Sequence, residues 1–102
     1  MDMGALMKQA QQFQERLRKM QEELGAITVT GSAGGGMVTA MVNGRGELLT
    51  LSLERGVVNP DDVQLLQDLI VSAVNDALLK AKKQGQDELG KLTGGMHIPG
   101  LF

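Results

Sequence analysis

The chain has 102 residues, and ten Lys and Arg against twelve Asp and Glu give it a formal charge of −2. That length makes one domain, and that balance excludes a bulk field drawing the chain to nucleic acid. Phe13 and Phe102 are the only aromatics, so the core must be built from Leu, Val, Ile and seven Met, and the absence of Cys excludes disulfides, thiolate catalysis and Cys-ligated metal centres.

The first segment carries a heptad seam. Met3, Leu6, Ala10, Phe13, Leu17, Met20 and Leu24 recur at alternating spacings of three and four, with helix-forming Gln, Glu, Lys and Arg between them. The pattern predicts a helix roughly 30 Å long at 1.5 Å per residue, closed by Gly25 as its C′ glycine. A helix of that length exceeds so small a core, and it must project or pair. Lys8, Arg16, Arg18 and Lys19 fall at f, g, b and c, off the seam, and Glu15 stands four residues before Lys19 as an ion-pair partner. Asp2, Glu15, Glu22 and Glu23 cancel the four cations of this segment.

From Ala26 to Arg55 the period changes to two. Ile27/Val29, Val38/Ala40/Val42 and Leu49/Leu51/Leu53 form one strongly apolar face, expected to pack on helices. The alternate positions Thr28/Thr30, Met37/Thr39/Met41 and Leu48/Thr50/Ser52 form a mixed one. Asn43-Gly44 suits a tight hairpin turn, with Gly46 adding freedom. The run Gly34-Gly35-Gly36 raises the possibility of a phosphate cradle. It leads into Val38-Thr39-Ala40-Met41-Val42, however, which reads as a strand, and no Lys-Ser or Lys-Thr follows. The run reads instead as the turn between the first two strands of a three-stranded antiparallel meander. The mixed face, beside an unpaired edge strand, is the sheet surface that a second copy would cover.

The second helix is expected to open at Asn59-Pro60-Asp61-Asp62, with Asn59 as cap and Pro60 in the first turn. Val63, Leu66, Ile70, Val74, Ala77 and Ala81 trace its apolar stripe. Gly85 is expected to end or weaken it, with Asp87 to Lys91 adding a further turn. Lys80, Lys82 and Lys83 cluster near its end, with Asp76 and Asp87 as pairing partners, while Asn75-Asp76 are expected to hydrogen-bond to nearby backbone. Residues 1–92 thus read as a single α+β domain of order α-β-β-β-α, and 93–102, TGGMHIPGLF, as a flexible tail. No nucleophile–base pair or metal-ligand spacing is visible; His97, the one histidine, stands in the tail without a neighbouring carboxylate. No enzyme, cofactor, metal or small-molecule substrate is expected. The chain has no apolar leader and no run of membrane-spanning length, so neither export nor a membrane partner is expected, and the lack of Cys fits a reducing cytoplasm.

Four segments in order complete the reading: LMKQAQQFQERL (Leu6 to Leu17), TGSAGGGMV (Thr30 to Val38), LLQDLIVSAVNDALLKA (Leu65 to Ala81) and TGGM…PGLF from Thr93. In these the chain resembles the YbaB/EbfC family of bacterial nucleoid-associated DNA-binding proteins over essentially its whole length. The resemblance implies a homodimer with paired sheets and projecting terminal helices, located in the cytoplasm at the nucleoid. It also implies binding to double-stranded DNA with limited sequence preference. It assigns that binding to Lys8, Arg16, Arg18 and Lys19 of the first helix and Lys80, Lys82 and Lys83 of the last. Two departures stand out: Thr39 where relatives often carry a lysine, and Glu54-Arg55-Gly56-Val57 where they often show an acidic-Pro-Ser run. Phe13 and Leu17 on the seam, with Met37 and Met41 on the mixed sheet face, are the expected dimer contacts. Arg45, at the hairpin tip, is expected to matter less to DNA. The other function consistent with net acidity is a dimeric module that binds DNA repair or recombination proteins.

Overall fold

The computed structural model describes residues 2–92, with seven elements in the order helix, strand, turn, strand, strand, turn, helix. The tail from Thr93 onward, His97 included, lies outside the described residues. Helix α1 spans Met3–Ala26, capped by Asp2, whose Oδ1 accepts from the Gly4 N–H at 3.0 Å. Its end departs from the sequence expectation. Gly25 lies inside the helix and not at a left-handed C′ position, and Ile27, already extended, returns its N–H to the Leu24 carbonyl.

Strands β1 (Thr28–Ala33), β2 (Val38–Asn43) and β3 (Leu48–Leu53) form an antiparallel meander in sequence order. Gly34, Gly35 and Gly36 join the first two with φ of 64°, 67° and 98°, a left-handed turn that only successive glycines make without strain. The second connection is longer than a two-residue turn. Its keystone is Asn43, only 5 % exposed, whose Oδ1 accepts from the Arg45 and Glu47 N–H groups and whose Nδ2 donates to the Glu47 carboxylate. The Gly44 N–H donates to the Leu24 and Ile27 carbonyls, fastening this loop to the end of α1.

Helix α2 runs unbroken through Val63–Leu92 and packs on β1 and β2. It starts later than expected. Asn59 makes a local turn, accepting from the Asp61 N–H, and Asp62 is the residue that reaches into the helix, accepting from the Leu65 N–H at 3.2 Å. Gly85 does not end it: the helix passes straight through. The core under α2 is made of small residues. Val38, Ala40 and Val42 of β2 meet Ala73, Ala77 and Ala81, with Val57 beside them. Gly31, buried opposite Ala40, lets β1 approach the α2 backbone at Ala73 and Ala77.

One apolar face is left without cover. β3 pairs Leu53 with Val38 and Leu51 with Ala40, which puts both leucines on the α2 side of the sheet. A bulge near Met41 and Val42 leaves Leu49 unpaired and sets Leu48 opposite Val42, so Leu48 moves from the mixed face to the apolar one. Every residue of β3 is nevertheless exposed, with Leu49 at 48 %, Leu51 at 39 % and Leu53 at 37 %. A helix about 10 Å across covers two strands spaced about 4.8 Å apart and leaves the third bare. The seam of α1 behaves likewise. Leu24 is buried and Leu17 and Met20 are half-buried, but Met3, Leu6, Ala10 and Phe13 stand in solvent. The molecule is accordingly long, 70 × 22 × 16 Å, with a radius of gyration of 19.0 Å against about 13 Å for a compact chain of this size.

Candidate nucleic-acid interface

The seven cations predicted for DNA contact are all exposed on the two helices, but the fold sorts them. On α2, Lys80 and Lys83 fall on one face with Asp87 and Lys91, at spacings of three, four and four. Lys80, Lys83, Gln84, Asp87, Glu88 and Lys91 line an open groove along that face. An adjoining groove continues it onto α1, where Arg16, Lys19, Met20 and Glu23 meet Glu88 and Lys91. Two helices far apart in sequence thus bring Arg16, Lys19, Lys80, Lys83 and Lys91 into one band. Lys91 was missed by the sequence reading, although its helical spacing from Lys83 and Asp87 was the available signal.

Two predicted cations are already engaged. Arg18 forms ion pairs with Glu15 and Glu22, the second at 2.8 Å, and its guanidinium holds the Glu15 carboxyl below the usual carboxylate range. Glu15 pairs with Arg18 and not with Lys19 as the spacing had implied. Lys80 donates to Asp76 at 3.0 Å and reaches the Thr30 carbonyl at 3.4 Å. Asp76 meets the expectation of backbone bonding: it accepts from the Ser32 N–H at 3.1 Å, tying α2 to β1. The Lys80 hydrogen bond first, and the Ser32 bond second, lower the Asp76 pKa. Lys91 pairs with Glu88 instead of Lys83 pairing with Asp87. Lys8, Arg16, Lys19, Lys82 and Lys83 make no ion pair with any described residue. Lys8 stands on the projecting half of α1, away from the band.

Lys82 is separate. Two residues from Lys80, it points to another side of α2 and lines a depression with Arg45, Gln21 and Gly44. Of the expected dimer contacts, Phe13 is exposed, while Leu17 and Met41 are half-buried. Met37, in a helical conformation after the glycine turn, packs against the core of its own chain.

Among the described residues no group of three His, Cys, Asp or Glu side chains could hold a metal ion, and no buried side-chain polar atom lacks a partner. No helix of the described residues is long and apolar enough to cross a membrane. The chain is thus an α-β-β-β-α protein with most of its cations exposed on its two helices. Residues 1–96 match the YbaB/EbfC DNA-binding family, and the chain belongs to that family. The family is defined by DNA binding and not by a reaction.

Among its relatives, a nucleoid-associated protein of Syntrophobacter fumaroxidans is 52 % identical over 95 residues, covering 93 % of this chain and 86 % of that one. Another, from Caldanaerobacter subterraneus, is 53 % identical over 97 residues, covering 95 % and 87 %. A nucleoid-associated protein of Desulfotalea psychrophila, 46 % identical over 101 residues, covers 99 % and 95 %. The crystal structure of an uncharacterized protein from Helicobacter pylori shares the fold, with a TM-score of 0.82 at 24 % identity over 92 % of this chain and 99 % of that one.

Proposed function

We propose that this chain is a nucleoid-associated protein that binds double-stranded DNA as a homodimer, with low sequence specificity, and so organises the nucleoid or modulates gene expression. The observation that carries the reading is the band of Arg16, Lys19, Lys80, Lys83 and Lys91 across two helices, in a chain of a DNA-binding family. Flexible surface cations of this kind suit phosphates, which fix position and carry no sequence information. No Trp or Tyr offers a stacking platform of the kind single strands favour. The bare leucines of β3 and the bare half of the α1 seam support self-association, since burying each large apolar side chain contributes about 1.5–3 kcal/mol. A second copy also presents each cationic band twice, so their phosphate contacts add, although the acidic total doubles with them.

Gel shift of unrelated duplexes at several salt concentrations tests this reading. With roughly four to six phosphates contacted, log K is expected to fall with log salt at a slope of about −4 to −5, alike for every sequence. A protein that shifts no duplex at low salt, and instead captures a specific repair or recombination protein, would refute it.

A further inference from the structure

The depression holding Lys82 is chemically unlike the two grooves of the band. Gln21, Arg45 and Lys82 supply donors to it, Leu24, Leu78 and Ala81 add apolar surface, Gly44, Gly46 and Gly85 leave it open, and no carboxylate lines it. Both grooves of the band contain Glu88, joined by Asp87 in one and Glu23 in the other. An anion entering the depression therefore meets no like charge among its walls. Its two cations are also held by no side-chain hydrogen bond. Lys82 pairs with no described residue, and the single ion pair of Arg45, to Glu47, is 3.9 Å long, beyond hydrogen-bond reach.

The position is built. The Arg45 N–H donates to Asn43 Oδ1 and the Gly44 N–H to the Leu24 carbonyl, so the loop is held to α1 at the residue preceding Arg45. The guanidinium then lies across the last turn of α1, where a Cβ on Gly25 would collide with its Nε, Cζ and terminal nitrogen. Gly25, unexplained as a helix terminator, is explained as the space for this side chain. A guanidinium laid against Gly25 and an ammonium at one open hollow, with no carboxylate in its lining, match the needs of a phosphate oxyanion.

We infer that this hollow, with Arg45 and Lys82 at its rim, seats one backbone phosphate of a bound duplex, an inference that rests on the DNA-binding reading above. Arg45 is then a DNA contact equal to the helix cations. Lys82 faces a different side of α2 from Lys80, so the effect of losing this seat adds to losses along the band.

The test compares the full chain with Arg45→Gln/Lys82→Gln and with Arg45→Lys, by duplex binding across a salt series and by backbone amide shifts of Gly44, Arg45, Gly46 and Gly85. The double variant is expected to bind unrelated duplexes about ten-fold more weakly at 0.1 M salt, with a slope shallower by about 1. Arg45→Lys is expected to keep much of the affinity, and duplex to shift the four amides in the wild type and in Arg45→Lys but not in the double variant. An unchanged affinity and slope, in a wild type that does bind duplex, overturns this inference and leaves the DNA-binding reading intact. A wild type that binds no duplex overturns both. Amide shifts with inorganic phosphate but not with duplex assign the hollow to a small free anion and overturn the seat for DNA. A lowered melting temperature with an unmoved salt slope would make Arg45 only a counter-charge to the α1 carboxyl end, and also overturns it.

Discussion

Gly31→Ala is the perturbation that most directly tests how the sheet and α2 are held together. Gly31 lies buried in β1 beneath Ala73 and Ala77, and its φ is not positive, so its backbone accepts alanine. Where nothing obstructs a side chain, Gly→Ala stabilises by about 0.4–1 kcal/mol through the unfolded chain. Here a Cβ would stand 2.5 Å from the Ala73 carbonyl oxygen and 2.7 Å from the Ala77 Cα. Both obstacles are backbone, which cannot rotate away, so α2 must lift from β1 by roughly 1 Å. Overpacking of this sort costs about 1–3 kcal/mol, and the rigidity of the obstacles puts this case near the top of that range. At about 4–8 °C per kcal/mol for a domain of this size, the melting temperature falls by about 10–20 °C. Gly85→Ala is the control: open space surrounds its Cβ within a continuous helix, so a gain of about 0.5–1 kcal/mol is expected. Circular dichroism melts at one fixed protein concentration measure both, because self-association makes melting depend on concentration. A Gly31→Ala variant as stable as the wild type, or more so, would refute the close approach of β1 and α2.

Three further outcomes follow from the same geometry. Leu51→Asp on β3 and Phe13→Asp on the α1 seam should each weaken self-association; sedimentation showing the wild type as a 10.9 kDa monomer at micromolar concentration, or both variants assembling normally, counts against a dimer through these faces. Lys19→Glu and Lys83→Glu should each weaken binding to unrelated duplexes by about the same factor, since the proposed binding gives both a phosphate and neither a base; a preference that changes with sequence would point to base contacts. Asp76→Asn should destabilise the fold in the pH range where the carboxylate is ionised. Its lowered folded pKa gives stability that is present above the unfolded value of about 3.9 and lost as pH falls through the folded value, so denaturation of variant and wild type should converge in acid.

The periodicities disclosed the element order because each is local: three-four spacing for the helices and alternation for the strands. What they could not disclose is how wide a cover the sheet receives. Leu49, Leu51 and Leu53 alternate as well as Val38, Ala40 and Val42 do, yet only the second set lies under α2. That difference depends on helix width and strand position, neither of which is written in the strand itself. Helix ends failed for a related reason. Asn59 and Asp62 are both competent caps, and the choice between them is made by the turn that brings the chain back from β3. Gly25 and Gly85 looked like terminators, but the first makes room for a side chain from residue 45, a contact that spans α1 and two strands. In the site, Asp76 was legible because an acid in mid-helix needs a partner, whereas the meeting of Arg16 and Lys19 with Lys91 needed the crossing of α1 and α2.

The net charge of −2 is a poor guide to what this surface does, because a phosphate backbone responds to local arrangement over about 8–10 Å, the screening length at moderate salt. Within that distance the acids of the molecule are unevenly placed. Glu15 and Glu22 are engaged by a single arginine, Arg18, which reduces their combined repulsion to that of one net charge while sacrificing one cation. Asp76 is spent on the Ser32 backbone and Lys80. Such exposed pairs are worth at most about 1 kcal/mol, so Lys80 and Lys91 can exchange a carboxylate for a phosphate at little cost. Asp61, Asp62 and Asp68 sit at the opposite end of α2, 12 or more residues before Lys80, which is about 18 Å of helix and beyond the screening length. Between Lys80 and Lys91 four lysines outnumber Asp87 and Glu88, so this end keeps a local positive excess although the whole chain is negative. An acidic total and an end suited to phosphate are compatible in one helix.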